Sequence, residues 1–175
     1  MSDPRTGTVS DPRRELRVEL EVAAPRGRVW EVLTDFSRMP AWSPELVRMV
    51  PLRRGGLRLG QQYVGINRRG PVVWPTRSVV CALAPGSLVA WDTVSSGARW
   101  IWELSDVSDG SGAAGGAGGS RTRVVHRRQV PRDLTLGSRV VAPLLLGGTP
   151  EHADELEVGM GTTLERLRAE VEGSA

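Results

Sequence analysis

The chain has 175 residues, of which 39% are hydrophobic, and a formal net charge of +3. That length supports one domain with a real core, and no apolar run approaches the roughly 18 residues that a membrane span needs. A single cysteine excludes an internal disulfide framework, and the 23 basic residues, all Arg, are interspersed with 20 acids, so no basic footprint marks a nucleic-acid partner.

Residues 1–13 are polar, hold no apolar stretch of signal-peptide length, and read as a disordered lead into a cytoplasmic protein, with a single domain over 14–172. Residues 15–22 alternate. Leu16, Val18, Leu20 and Val22 point one way, while Arg17, Glu19 and Glu21 point the other, as in a half-buried strand. Pro25 suits the first turn of a helix, and Val29, Trp30, Leu33 and Phe36 recur at helical spacing after it. Pro40 and Pro44 break the connector 37–44, which carries Trp42. A second strand over 45–52 and a glycine-rich turn over 53–60 follow.

Residues 60–104 read as four consecutive strands, 61–68, 72–83, 88–94 and 99–104. Arg69-Gly70, Pro85-Gly86 and Ser95-Ser96-Gly97-Ala98 supply turn chemistry between them. Closing each hairpin at its turn pairs Asn67 with Val72 and Tyr63 with Thr76, then Ala82 with Val89 and Val80 with Trp91, then Thr93 with Trp100 and Trp91 with Trp102. One face then carries Tyr63, Gly65, Asn67, Trp74, Thr76, Ser78, Val80, Val89, Trp91, Thr93, Trp100, Trp102 and Leu104, with no charge among them. The opposite face carries Arg77, Cys81, Asp92, Arg99 and Glu103, so the cysteine lies on the charged side. Each Trp offers roughly 150–250 Å² for burial, about 4–6 kcal/mol at about 25 cal/mol per Å². A face with four of them must be covered. The mixture of Trp with Tyr, Asn, Thr and Ser reads as a pocket wall, because a dry core would need each polar group paired.

Residues 106–120 are low-complexity and read as a flexible glycine-rich loop inside a hairpin. They do not follow the phosphate-loop pattern, and no helix comes after them. The last strand, 121–130, places Thr122, Val124 and His126 on its uncharged face and Arg123, Val125 and Arg127 opposite. Residues 134–148 are small and apolar and read as a short helix followed by a loop. Thr149-Pro150-Glu151 then opens a helix to about residue 171. Its stripe is Ala153, Leu156, Met160, Thr163, Leu164, Leu167 and Val171. At about 1.5 Å per residue it spans roughly 33 Å, long enough to lie across the whole Trp-rich face.

Several segments resemble a known family. The opening Val-Glu-Leu-Glu-Val-Ala-Ala-Pro-Arg-Gly-Arg-Val-Trp-Glu-Val-Leu-Thr-Asp-Phe, the connector Trp42-Ser43-Pro44-Glu45, the stretch from Gly60 through Tyr63, Gly65 and Asn67-Arg68 to Trp74, the run Trp100-Ile101-Trp102-Glu103-Leu104, and the closing Gly-Met-Gly-Thr-Thr-Leu-Glu-Arg-Leu are similar to the START-like or SRPBCC superfamily, in its polyketide cyclase/dehydrase and lipid-transport branch. The resemblance covers about residues 14–172. It implies an α+β helix-grip fold, a curved antiparallel sheet of about seven strands wrapped around a long C-terminal helix with a cavity between them. It also implies an apolar or aromatic ligand, and in some members cyclase or dehydratase activity.

No Ser-His-Asp set can be assembled from two histidines, and His126, His152 and one Cys lie too far apart in sequence for a zinc site. Neither a metal nor a cofactor is expected. His126 is the acid/base candidate, since imidazole titrates near neutrality; a core histidine hydrogen-bonded to Thr or Ser is the structural alternative. His152 reads as a surface residue. Trp42, Tyr63, Asn67, Trp74, Thr76, Ser78, Trp91, Thr93, Trp100, Trp102 and Met160 are the expected ligand-binding residues. Three readings compete: a binder of a hydrophobic or aromatic, lipid- or polyketide-like molecule, a polyketide cyclase or dehydratase using pocket shape and His126, and a protein-interaction module using the Arg-bearing outer face.

Overall fold

The computed structural model describes residues 15–107, 120–130 and 150–173, the side chains of 150–154 excepted. In chain order the elements are β1 (Leu16–Val22), α1 (Arg26–Thr34), α2 (Met39–Trp42), β2 (Leu46–Pro51), β3 (Gln62–Arg69), β4 (Val72–Ala84), β5 (Leu88–Thr93), β6 (Ala98–Asp106), β7 (Thr122–Gln129) and α3 (Pro150–Gly173). The strands form one antiparallel sheet in the order β1-β7-β6-β5-β4-β3-β2. This is the expected α+β architecture of a seven-stranded sheet with a long C-terminal helix. The lead 1–13, the short helix expected over 134–148 and the helix cap at residue 149 lie outside the described residues. So does 108–119, most of the glycine-rich loop. Of the remainder, Asp106 ends β6, and the Val107 amide donates to the Arg121 carbonyl at 3.0 Å.

Two hairpins close two residues away from the expected register. Asn67 faces Trp74 and Tyr63 faces Ser78, because Arg69 pairs directly with Val72 and the turn is Gly70-Pro71. Gly70 takes φ 56°, which a side chain would resist. Likewise Thr93 faces Ala98, Trp91 faces Trp100 and Val89 faces Trp102. Side chains alternate with period two, so a shift of two changes partners and leaves every residue on its expected face. The third hairpin holds Val80 against Trp91 as expected but then inserts Cys81 as an extra residue, so that Val89 faces Leu83 and Ala82 faces Ala90. Such a bulge switches the parity of the strand beyond it. It brings Leu83 against the core, where it packs half-buried.

Pro25 caps α1 from outside the first turn; its carbonyl accepts from the Arg28 and Val29 amides at 2.9 and 3.2 Å. Val29, Val32 and Leu33 form the buried stripe of that helix. The chain then has to travel from β1 at one edge of the sheet to β2 at the other, and α1 and α2 make that crossing. This crossing changes how the Trp-rich face is covered. Phe36 reaches Trp91 with ring centroids 5.1 Å apart and Tyr63 at 4.8 Å. Trp42 meets Trp102 edge-on at 5.9 Å. Helix α3 instead packs chiefly along β1, with further contact to α1, α2 and β7. Thus α3 shares the cover with the α1–α2 crossing, whereas the sequence led us to expect that the helix alone would span the face. Its buried positions Met160, Thr163, Leu164, Leu167 and Val171 follow the expected stripe.

Both ends of α3 are tied down. Arg69 bridges Glu45 and Glu155 at 2.8 and 3.2 Å, joining the β3–β4 hairpin to the N-terminal half of the helix. Glu172 accepts the Ala23 amide at 2.7 Å, and Arg38 pairs with Glu170 at 2.7 Å. Among the described residues no helix is long and apolar enough to cross a membrane.

Candidate functional site on the aromatic face

The expected site residues on the strands share the inner face of the sheet, Trp42 lies on α2 and Met160 on α3, and together they divide into groups with different chemistry. The first is apolar: Tyr63 and Trp91 are buried around Phe36. Burial pushes the Tyr63 phenol up and the nearby Arg58 charge opposes this, so the group stays neutral. The second group is polar and already paired. Asn67 Nδ2 donates to Thr76 Oγ1 at 3.0 Å, and Thr76 Oγ1 donates to the Gly65 carbonyl at 3.4 Å. Ser78 and Thr93 share a buried hydroxyl contact at 3.5 Å. These residues satisfy one another, as a core requires. Trp74, opposite Asn67, is half-buried and joins neither ring cluster. Met160 is buried on α3 but lies outside the contiguous apolar core.

The third group is different. Trp42, Trp102 and His126 are buried, at 1%, 1% and 4% exposure. Strand β6 places Trp102 directly opposite His126 on β7. The two rings stack at 3.8 Å, Trp42 meets Trp102 from α2, and Trp100 lies 5.5 Å from His126. The indole nitrogens of Trp42 and Trp102 and both imidazole nitrogens of His126 have no hydrogen-bond partner among the described residues. Buried polar atoms in folded proteins are nearly always paired, and leaving one unpaired costs about 1–3 kcal/mol. Four such atoms lie together here on adjoining aromatic rings. Burial also pushes the His126 pKa down to about 3, so the ring is neutral near pH 7. Neither nitrogen has, among the described residues, the Thr or Ser partner that the core-histidine alternative needs.

One inward residue was missed. Arg128 stands opposite Trp100 on the β6–β7 ladder, with its guanidinium carbon 5.9 Å from the Trp100 ring centroid. The signal was present: Thr122, Val124, His126 and Arg128 share one parity. A charged residue at the end of a basic strand is easily read as solvated. Phe36, which organises the apolar group, was also missed, because nothing local assigns it to Tyr63 and Trp91.

The outer face is occupied by ion pairs. Arg99 holds Asp92 through two contacts of 2.7 and 2.9 Å, Arg127 reaches Glu15 and Glu103, and Arg121 and Arg123 share Glu21. Cys81 sits half-buried on this side, its thiol pushed up by burial and by the Asp92 charge, which makes it a poor nucleophile. Among the described residues no three His, Cys, Asp or Glu side chains converge as metal ligands.

Residues 13–172 match the family described as polyketide cyclase/dehydrase and lipid transport. No curated protein matches the sequence. Solved structures with a similar fold include the ZhuI aromatase/cyclase from Streptomyces sp. R1128, 21% identical, covering 91% of this chain and 93% of that one with a TM-score of 0.61. The di-domain aromatase/cyclase StfQ from the steffimycin biosynthetic pathway is 17% identical over 91% of this chain and 51% of its own, TM-score 0.59. Protein NE0264 from Nitrosomonas europaea is 17% identical over 96% of this chain and 100% of its own, TM-score 0.59. At these identities the likeness is one of fold.

Proposed function

This chain belongs to the polyketide cyclase/dehydrase and lipid transport family, and on that premise we propose that it binds a flat, largely apolar small molecule between the sheet and α3, against Trp42, Trp100, Trp102 and His126. The observation that carries this is the set of unpartnered nitrogens on Trp42, Trp102 and His126. They combine stacking surface with hydrogen-bonding capacity in a dry setting, the composition of a small-molecule site. Titration with a panel of flat polycyclic and fatty molecules, followed by Trp fluorescence, tests it. Saturable quenching by the flat members is the expected result. A panel that leaves the fluorescence unchanged overturns the reading.

A second reading makes the protein a cyclase or dehydratase, and its support is the likeness in fold to proteins named as aromatase/cyclases. In that case the aromatic wall holds a reactive chain in a productive shape, and His126 handles a proton. A pKa of about 3 makes the free imidazole a weak base, because acid–base catalysis is best served near the working pH. The binding reading therefore comes first. The two separate in a His126→Gln variant: turnover falls by far more than ligand affinity if the enzyme reading holds, whereas a binder shows only the change in affinity. The interaction-module reading has less support, since most outer-face arginines with a contact are already engaged by carboxylates.

A further inference from the structure

Arg128 is the exception among the inward-facing groups, being a charge on an aromatic wall. Among the described residues its neighbours on that face are Leu16, Trp100 and His126, none of which carries a negative charge. Arg38, Arg69, Arg99, Arg121 and Arg127 all hold a carboxylate within 3.5 Å. The Arg128 side chain has no ion pair or hydrogen bond among the described residues, and there it rests against the Trp100 ring. Burial without an opposing anion lowers its pKa, the sign of a guanidinium that has given up water for no counter-charge. The nitrogens beside it extend the pattern. An indole N–H only donates, a guanidinium only donates, and a neutral imidazole donates from one nitrogen. The site offers donors and almost no acceptors, so its complement is a molecule that brings acceptors and negative charge.

We infer that the ligand is an acceptor-rich aromatic anion, a carboxylate or phenolate, whose negative group rests against the Arg128 guanidinium while its ring stacks on Trp100 and its remaining oxygens take the Trp102 and His126 N–H groups. The inference rests on the binding reading above and names the ligand class for that same site. A planar guanidinium matches a carboxylate with two parallel hydrogen bonds, which gives orientation as well as affinity.

The test is calorimetric titration at pH 7.5 of anthracene-2-carboxylate, anthracene-2-carboxamide and 2,4-dinitro-1-naphtholate, the last ionised at that pH. The wild type should bind at least one of the two anions about tenfold or more tighter than the amide, the scale of one charge-assisted hydrogen bond; the tighter of them tells carboxylate from phenolate. Arg128→Gln should remove that preference and leave the amide unchanged. Arg128→Lys, which keeps the charge, should hold part of it. Arg77→Gln, an equal charge change at an exposed outer-face residue, should have no effect. Circular dichroism confirms that each variant folds. Equal binding of anions and amide, or a preference that survives Arg128→Gln, overturns the anchor while leaving the binding reading intact. If none of the three binds, the anchor fails, and the wider fluorescence panel decides the binding reading separately.

Discussion

The imidazole of His126 lies almost flat on the indole of Trp102, with centroids 3.8 Å apart and planes 14° from parallel. The pair bridges two strands, since the residues are direct partners across β6 and β7. Stacking holds the imidazole in place without using either nitrogen, so its hydrogen-bonding edge is kept oriented and unspent.

That arrangement fixes a pH dependence. The folded His126 pKa is near 3, and the unfolded value is about 6.5. Above about pH 6.5 neither state is protonated and stability is at its full value. Between the two values the unfolded chain binds a proton that the folded chain refuses, so stability falls as pH drops, by up to about 1.4 kcal/mol per unit. Urea denaturation of wild type and His126→Phe between pH 7.5 and 4.5 should show the variant with a shallower slope. Equal slopes would place the acid sensitivity elsewhere.

Trp102→Ala should cost about 3–5 kcal/mol of stability, as large buried truncations do, because it removes the ring under both Trp42 and His126. Trp74→Ala, at a half-buried ring outside both clusters, should cost clearly less. Denaturant midpoints for the two, measured side by side, decide this, and comparable losses would mean that the clusters carry no special weight.

Gly65 has no room for a methyl group: a Cβ there would sit 2.8 Å from Thr76 Oγ1 and 3.0 Å from Leu46 Cδ1. Gly65→Ala should destabilise by about 1–3 kcal/mol, the usual cost of overpacking. Adding Thr76→Ala should return part of the loss, which a double-mutant cycle reads directly.

Asp92 and Arg99 form a two-point pair, but both side chains are more than a third exposed. Asp92→Asn should therefore cost less than about 1 kcal/mol. It should also release Cys81, whose thiolate the Asp92 charge disfavours. A faster reaction of the single thiol with a disulfide reagent at pH 8 is the expected outcome, and an unchanged rate would show that burial alone controls it.

Much of this could be read in advance, for a local reason. Alternation along a strand depends only on neighbouring residues, so the inner and outer faces of β3 to β6 follow from the sequence even where the hairpin register was two residues off. The helix stripe from Met160 to Val171 is local in the same way. The bulge at Cys81 was not legible, since an extra residue leaves no mark in a short apolar run. Nor was the cover. Whether Phe36 meets Trp91, and Trp42 meets Trp102, depends on where α1 and α2 cross a sheet whose edges are β1 and β2, and that order is set by pairing between residues a hundred positions apart. The unpartnered nitrogens of Trp42, Trp102 and His126 belong to the same level. Residue type and parity place a histidine on a face, but only the packed tertiary structure decides which of its neighbours come within hydrogen-bonding distance, and here none of the described residues does.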